Sequence, residues 1–280
     1  GGGLAAAASS LRPPRARGAN ESNVVDHTFM LESATKASFF LEPAALDADG
    51  VILPNVSKKL AIRKVAHGLH RPSGPIRDFV LSRKVGDVAR ELGWRKPVVA
   101  QTLYRIAPPG SAGVDRHQDS VTLYTEPPSV LGLWLALEDT DESNGCLHVR
   151  RGSHRHPIRE RLKRKDCGGA AAGVTLAAEF GGAGCMPRLY FERLVDTPAA
   201  PEEEFEAMPM KAGDLLVLHG ALEHFSKRGW DMSRSRESLQ THLIEGGARW
   251  SPDNWLQYPR GQSFDPVPVP RDGGSAFAEL

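Results

Sequence analysis

The chain has 280 residues, 40% hydrophobic and 25% charged, with 35 Lys and Arg against 34 Asp and Glu, a formal net charge of +1 and a pI of about 8.0. A chain of that length buries roughly three quarters of the surface its unfolded form exposes, enough for one globular core, and its near-neutral balance argues against a general nucleic-acid binder. No stretch approaches the roughly 20 apolar residues of a membrane span. The three cysteines, Cys146, Cys167 and Cys185, lack CxxC spacing, which excludes a disulfide framework and a thiolate zinc site and makes a reducing, cytoplasmic setting the default.

Residues 1–18 are rich in Gly, Ala, Ser, Pro and Arg and contain no acid. They read as disordered or as the remnant of a transit-like segment, which leaves organellar targeting open. We divide the chain into a low-complexity segment (1–22), one domain (23–260) and a C-terminal tail (261–280). One helix is predicted over 76–92, where Leu81, Val85, Val88, Ala89 and Leu92 keep helical spacing and Gly93 stops it. After Pro97, the β-branched and aromatic run Val98 to Ile106 reads as a strand. A Pro-Gly-Ser loop over 108–113 then leads to Arg116-His117-Gln118-Asp119-Ser120. Val130 to Glu138 is apolar on both faces and reads as a buried central strand. Asp139 to Gly145 is a polar turn ending in Asn144-Gly145, a hairpin signal, before a short strand from Cys146 to Val149.

From Arg150 to Lys165, eight Lys or Arg stand against one acid, Glu160. Such a run either steers an anionic substrate toward a pocket mouth or is a solvated face. Gly168-Gly169 and Gly181-Gly182 lack phosphate-loop spacing and read as flexible lid or loop. Leu215 to Leu218 forms another strand, directly followed by His224. The segment Arg236 to Glu245 alternates, with Arg236, Ser238, Gln240 and His242 on one face and Leu239 and Leu243 on the other. Many short strands with turn signals between them predict a mainly β chain: a double-stranded β-helix, or jelly roll of the cupin-like kind, with a few flanking helices.

The chemistry is carried by four residues. His117 and Asp119 stand two apart, so an extended chain presents them on one face; His224 lies 105 residues beyond Asp119, and Arg236 twelve beyond His224. Two imidazoles and a carboxylate, without a thiolate, suit a non-haem Fe(II) that keeps positions open for a cosubstrate and O₂. The downstream arginine offers a fixed fork of donors to a distal carboxylate. Together these point to an Fe(II)- and 2-oxoglutarate-dependent oxygenase. A zinc or manganese hydrolase built on the same triad, a non-catalytic metal- or 2-oxoglutarate-binding jelly-roll protein or pseudoenzyme, and a weak RNA or anionic-partner module are the competing readings. Nothing in the sequence sets the oligomeric state.

The stretch from His117-Gln118-Asp119 through Leu123-Tyr124-Thr125-Glu126-Pro127, then Leu131-Gly132-Leu133-Trp134, Glu138-Asp139, Asn144-Gly145-Cys146-Leu147 and Gly152-Ser153-His154, resembles the phytanoyl-CoA dioxygenase family. Leu218-His219-Gly220, His224-Phe225-Ser226-Lys227, Ser235-Arg236 and Trp250-Ser251-Pro252-Asp253-Asn254-Trp255-Leu256-Gln257 continue the likeness in order. It covers Val24 to Tyr258 and is similar above all to the domain-containing branch. The resemblance implies a jelly-roll oxygenase with His117, Asp119 and His224 as iron ligands and as its catalytic centre. Arg236 would hold the far carboxylate of 2-oxoglutarate with Ser226 assisting, Lys64 would approach the cosubstrate, and Leu103 and Trp134 would wall the pocket. O₂ and a small-molecule substrate would complete the reaction, with succinate and CO₂ as coproducts. Arg116 replaces the family's proline, Arg150-Arg151 replaces an apolar-proline pair, and the loop after His224 is one residue longer, which makes Arg234 an alternative clamp. The family has a longer helical region before Val24, so a shortened N-terminus is expected.

Overall fold

The two longest strands among the described residues pair with each other, and the rest of the fold is built outward from that pair. The structure, a computed structural model, describes residues 27–165, 188–196 and 198–269. In chain order the elements are α1 (His27–Glu32), β1 (Ala37–Leu41), β2 (Ile62–His67), α2 (Pro75–Val80), α3 (Arg83–Glu91), β3 (Pro97–Ala107), β4 (Val114–His117), β5 (Thr125–Glu126), β6 (Leu131–Ala136), β7 (Leu147–Val149), β8 (Glu160–Lys165), β9 (Arg188–Arg193), β10 (Glu206–Met208), β11 (Leu215–His219), β12 (His224–Ser226), β13 (Arg236–Glu245), β14 (Arg249–Trp250) and β15 (Asp265–Pro266).

The larger antiparallel sheet runs β1-β2-β3-β13-β6-β11, with β15 also paired to β3, and the smaller runs β10-β7-β12-β4. Side chains alternate across each strand. On β6 the outward set, Leu131 and Leu133, packs with Val99, Leu243 and Val267 against Val80 of α2 and Val85 and Ala89 of α3. The inward set, Trp134 and Ala136, meets Leu147 and Val149 of the small sheet and Leu218. Each buried aliphatic side chain contributes about 1.5–3 kcal/mol. The result is the predicted jelly roll: two facing antiparallel sheets, helices on the outer face of one, and the site between the sheets. Among the described residues no helix is long and apolar enough to cross a membrane.

Three expectations are corrected. The single helix over 76–92 is two helices, because the Ser82 side chain accepts the Val85 amide at 3.4 Å and caps α3 with its own backbone extended; that local capping bond competes with helix continuation. Gly93 does adopt a left-handed conformation, φ 95°, at the end. Asn144-Gly145 closes no hairpin, since β6 and β7 belong to different sheets. Asn144 instead donates to the carbonyls of Asp139 and Ser235 and accepts the Asp141 amide, fixing a crossing between sheets. Residues from 261 are not simply a tail: β15 pairs with Val98 and Val99, and Val267 is buried in the core. Short Pro-rich segments carry little periodicity, so this edge strand has no signal in the sequence. The segments 1–18 and 168–182 read above, with Cys167 and Cys185, lie outside the described residues.

Gly86 on α3 faces the chain beyond β15, and a Cβ added there would lie 1.8 Å from the Pro268 carbonyl oxygen. Helix propensity alone favours Gly86→Ala by about 1 kcal/mol, but the backbone clash costs about 1–3 kcal/mol. The variant is therefore expected to unfold at lower urea concentration than the wild type; a higher midpoint would show that the helix and the C-terminal segment separate freely.

Candidate metal centre and its cavity

Pairing of β12 with β4 sets His224 directly opposite His117, and the two imidazoles lie with ring centroids 4.3 Å apart. Gln118 stays extended, and Asp119 opens a 3-10 turn that aims its carboxylate at both rings. Its Oδ1 is 3.7 Å from Nε2 of His117 and 3.7 Å from Nε2 of His224, and one ligand atom from each of the three residues lies within 4.8 Å of the others. The remaining ring nitrogens are occupied: His117 Nδ1 donates to the Asp115 carbonyl at 2.8 Å and His224 Nδ1 to that of Leu222 at 2.9 Å. Those bonds select the tautomer that leaves each Nε2 lone pair facing the centre.

Neighbouring groups hold this arrangement. Gln118, 1% exposed, donates to the Ala221 carbonyl and accepts the Arg159 amide, tying the segment carrying His117 and Asp119 to the approach to His224. The Ser120 amide donates to the Gly220 carbonyl beside it. His242 Nε2 lies 3.3 Å from Asp119 Oδ2, and Gln101 Nε2 donates to His242 Nδ1 at 3.1 Å, so one carboxylate oxygen is engaged while Oδ1 remains for a metal. Gly132 supplies the room, since a Cβ there would lie 2.9 Å from Asp119 Oδ2. Burial alone would raise the Asp119 carboxyl; His242 and His224, then His117, outweigh it and hold it well below the usual carboxylate range. Desolvation and His224 likewise keep His117 neutral below its ordinary range. An ionised Asp119 carboxylate and a neutral His117 imidazole suit the binding of a divalent cation.

A cavity of about 180 Å³ opens from the triad and is lined by Lys64, Leu103 and Arg236, among the residues singled out in the sequence, and also by Gln101, Arg105, Gln240, His242 and Trp255. Arg236 is 2% exposed, and its Nε and Nη1 have no partner among the described residues. Trp134 stands behind it, with the guanidinium 5.9 Å from the ring centroid. Burial lowers Arg236 to about 10, so it remains charged near neutrality. Lys64 lies 3.5 Å from His67 Nε2 and 4.4 Å from the Phe40 ring centroid; burial, with Arg105 and Arg63, lowers it to about 7. Ser226 is buried on β12, and its hydroxyl accepts the Val114 amide at 3.1 Å. Arg234 is on the surface, bonded to Asp141, Ser143 and the Asp139 carbonyl.

The sequence reading assigned no site role to Gln101, Arg105, Gly132 or His242, although it set His242 on the Arg236 face. The signal for the strand residues is alternation: Gln101, Leu103 and Arg105 recur every second residue on β3, as Arg236, Ser238, Gln240 and His242 do on β13. Four of the eight basic residues in the run 150–165 are held in ion pairs. Arg150 pairs with Glu204 and Glu223, Arg151 with Glu206, Arg161 with Asp253, and Lys163 with Glu192 and Asp253. Arg116 lies over the rings of Phe205 and Phe225.

Comparison with known proteins agrees with this architecture. A family model described as phytanoyl-CoA dioxygenase matches residues 19–229. A phytanoyl-CoA dioxygenase of Arabidopsis thaliana is 37% identical over 240 residues, 85% of this chain and 76% of the relative. Phytanoyl-CoA dioxygenase domain-containing protein 1 of Bos taurus is 36% identical over 242 residues, again 85% and 76%. Among solved structures, EctD from S. alaskensis, crystallised with 2-oxoglutarate and 5-hydroxyectoine, superposes with a TM-score of 0.52 at 19% identity over 81% of this chain and 74% of that one. The non-haem α-ketoglutarate-dependent carbocyclase SnoK from nogalamycin biosynthesis gives 0.51 at 16% identity over 74% and 77%. These two likenesses are of fold, the oxygenase jelly roll, whereas the sequence matches extend across most of the chain and through the His117, Asp119 and His224 motifs. The chain belongs to the phytanoyl-CoA dioxygenase family.

Proposed function

We propose that this protein is an Fe(II)- and 2-oxoglutarate-dependent dioxygenase that hydroxylates a small organic substrate. One observation carries the reading: three ligand atoms of His117, Asp119 and His224 converge within 4.8 Å in the same cavity as a buried Arg236 whose Nε and Nη1 lack partners. The donor set, two nitrogens and one oxygen without sulfur, fits Fe(II) with open positions. An orphaned buried guanidinium fits a carboxylate that arrives with a ligand, because leaving it unpaired is costly. With 2-oxoglutarate and O₂ bound, the iron supplies oxidative decarboxylation to succinate and CO₂ coupled to hydroxylation of a substrate C–H bond.

The chain's own residues bind, orient and shield. His117, Asp119 and His224 hold the metal, with His242 and Gln101 keeping the Asp119 carboxylate in place. Arg236, backed by Trp134, pairs with the distal carboxylate of 2-oxoglutarate. Lys64 and Leu103 border the cosubstrate, and Ser226 secures the backbone of β4 beside it through Val114. Met30, Leu103, Val114, Leu147 and Trp255 form the apolar part of the cavity wall, and a lowered local dielectric there strengthens each charged contact. Anaerobic addition of Fe(II) and 2-oxoglutarate should produce a metal-to-ligand charge-transfer band in the visible, and admitting air should then form succinate. A protein that gives the band without succinate is a binder, and one that gives neither has another function.

Arg236→Met is expected to weaken 2-oxoglutarate binding by about ten- to a hundredfold, the loss of one charge-assisted contact, while Arg234→Met leaves it within about twofold. Titration calorimetry on the metal-loaded protein separates the two, and the reverse ranking would move the clamp to Arg234. Gly132→Ala should displace the Asp119 carboxylate and lower divalent-metal affinity by about ten- to a hundredfold, the range for disturbed outer-shell support, with the far-UV circular dichroism unchanged. Unaltered metal affinity would count against Asp119 as a ligand.

A further inference from the structure

Arg105 is a second buried guanidinium in the same cavity, and among the described residues its side chain has no ion-pair partner. It is 9% exposed and lines the cavity with His117 and Arg236. Its side chain makes no hydrogen bond or ion pair among the described residues, and its Nε is buried without a partner. Its position follows from register: Lys64 of β2 lies opposite it on one side and Ser238 of β13 on the other, with Arg236 two residues along β13 from Ser238. Lys64, Arg105 and Arg236 thus form a cationic row across the floor of the large sheet. Glu42 is the acid whose charge acts on Arg105, but it forms no ion pair with it, and Glu42 Oε2 is itself unpartnered.

Under the oxygenase reading, a divalent metal, the Asp119 carboxylate, the 2-oxoglutarate dianion and the Arg236 guanidinium balance to neutrality. Lys64, lowered to about 7 by burial and its cationic neighbours, can shed its proton. The charge of Arg105 is then left over, in a site where an unpaired cation is costly. Arg105 lines the same cavity as His117, Asp119 and His224, and of these three the His117 side chain is the most exposed, 35% against 9% for Asp119 and 6% for His224. A group held by Arg105 therefore lies in the cavity onto which the triad opens.

Resting on the oxygenase reading, we infer that Arg105 anchors a free carboxylate of the primary substrate, so that the enzyme acts on a carboxylic acid rather than on a neutral ester or thioester. A planar guanidinium matches a carboxylate through two parallel hydrogen bonds. A thioester carbonyl offers it no charge. The basic run at 150–165, half of whose cations are ion-paired, is not needed for this selectivity.

The test uses the protein loaded with Mn²⁺ and 2-oxoglutarate under anaerobic conditions, so that binding is read without turnover. Straight-chain monocarboxylates from butanoate to decanoate and their primary amides are titrated by calorimetry against wild type, Arg105→Met and Arg105→Lys. The expected result is that at least one acid binds the wild type at least about tenfold more tightly than its amide. Arg105→Met should abolish the difference and Arg105→Lys keep part of it, with 2-oxoglutarate affinity within about twofold throughout. In thermal melts without ligand, Arg105→Met should be as stable as wild type or more so, because it removes an unpaired buried charge. Equal binding of acids and amides, or an acid preference that survives Arg105→Met, overturns the inference alone. Loss of 2-oxoglutarate affinity in Arg105→Met would assign the residue to the cosubstrate instead, and a lowered melting temperature would make it a structural partner of Glu42. A wild type that binds no 2-oxoglutarate at all would overturn the oxygenase reading and this inference with it.

Discussion

The antiparallel pairing of β12 with β4 is the constraint from which the site follows. It places His224 opposite His117, two residues far apart in the chain, and a slip of one residue would turn His224 to the other face of the small sheet. The register is secured from both sides of the pair. Ser226 accepts the Val114 amide at one end. At the other, Gln118 and Ser120 bind the Gly220 to Ala221 backbone that leads into His224. Neutral hydrogen bonds of this kind contribute only about 1 kcal/mol each net, but leaving a buried partner unsatisfied costs more, so the set acts as a lock.

Asp119 joins that small-sheet pair to the large sheet. Its Oδ2 is met by His242 of β13, itself oriented by Gln101 of β3, and the space it occupies exists because position 132 on β6 has no side chain. A buried ionised carboxylate is unfavourable unless its neighbours repay the desolvation, and here three imidazoles do so. The same physics runs with opposite sign on the other side of the cavity. Among the described residues Arg105 and Arg236 are buried without ion-pair partners, and an unpaired buried cation is costly. Both face the cavity onto which His117, Asp119 and His224 open.

Much of this was legible in the chain. Long, apolar or alternating runs such as Val98 to Ile106, Leu215 to Leu218 and Arg236 to Glu245 became strands with nearly the expected bounds, because period-two burial is a local property of the sequence. The predicted set His117, Asp119 and His224 is brought together, and Lys64, Leu103 and Arg236 do line one cavity. Where local signals compete, reading failed. Ser82 divides a continuous helical pattern by capping, and Asn144-Gly145 has the chemistry of a hairpin turn yet serves a crossing between sheets. Gln101 and His242 looked like ordinary polar strand residues, since their importance lies in contacts across strands.

The sequence by itself determined the class of fold, the identity of the triad and the presence of a downstream arginine, because these depend on residue type, spacing and periodicity. Only the tertiary structure decided which arginine faces the cavity. Arg234 and Arg236 are both cations near one strand start, but Arg234 lies outside, bonded to Asp141 and Ser143, while pairing with β3 and β6 turns Arg236 inward. It also decided that Arg105, in a strand recognised only by its β-branched and aromatic residues, lines the cavity with no ion-pair partner among the described residues. Charge balance inside a cavity is a property of distances between strands, and no pattern along the chain records it.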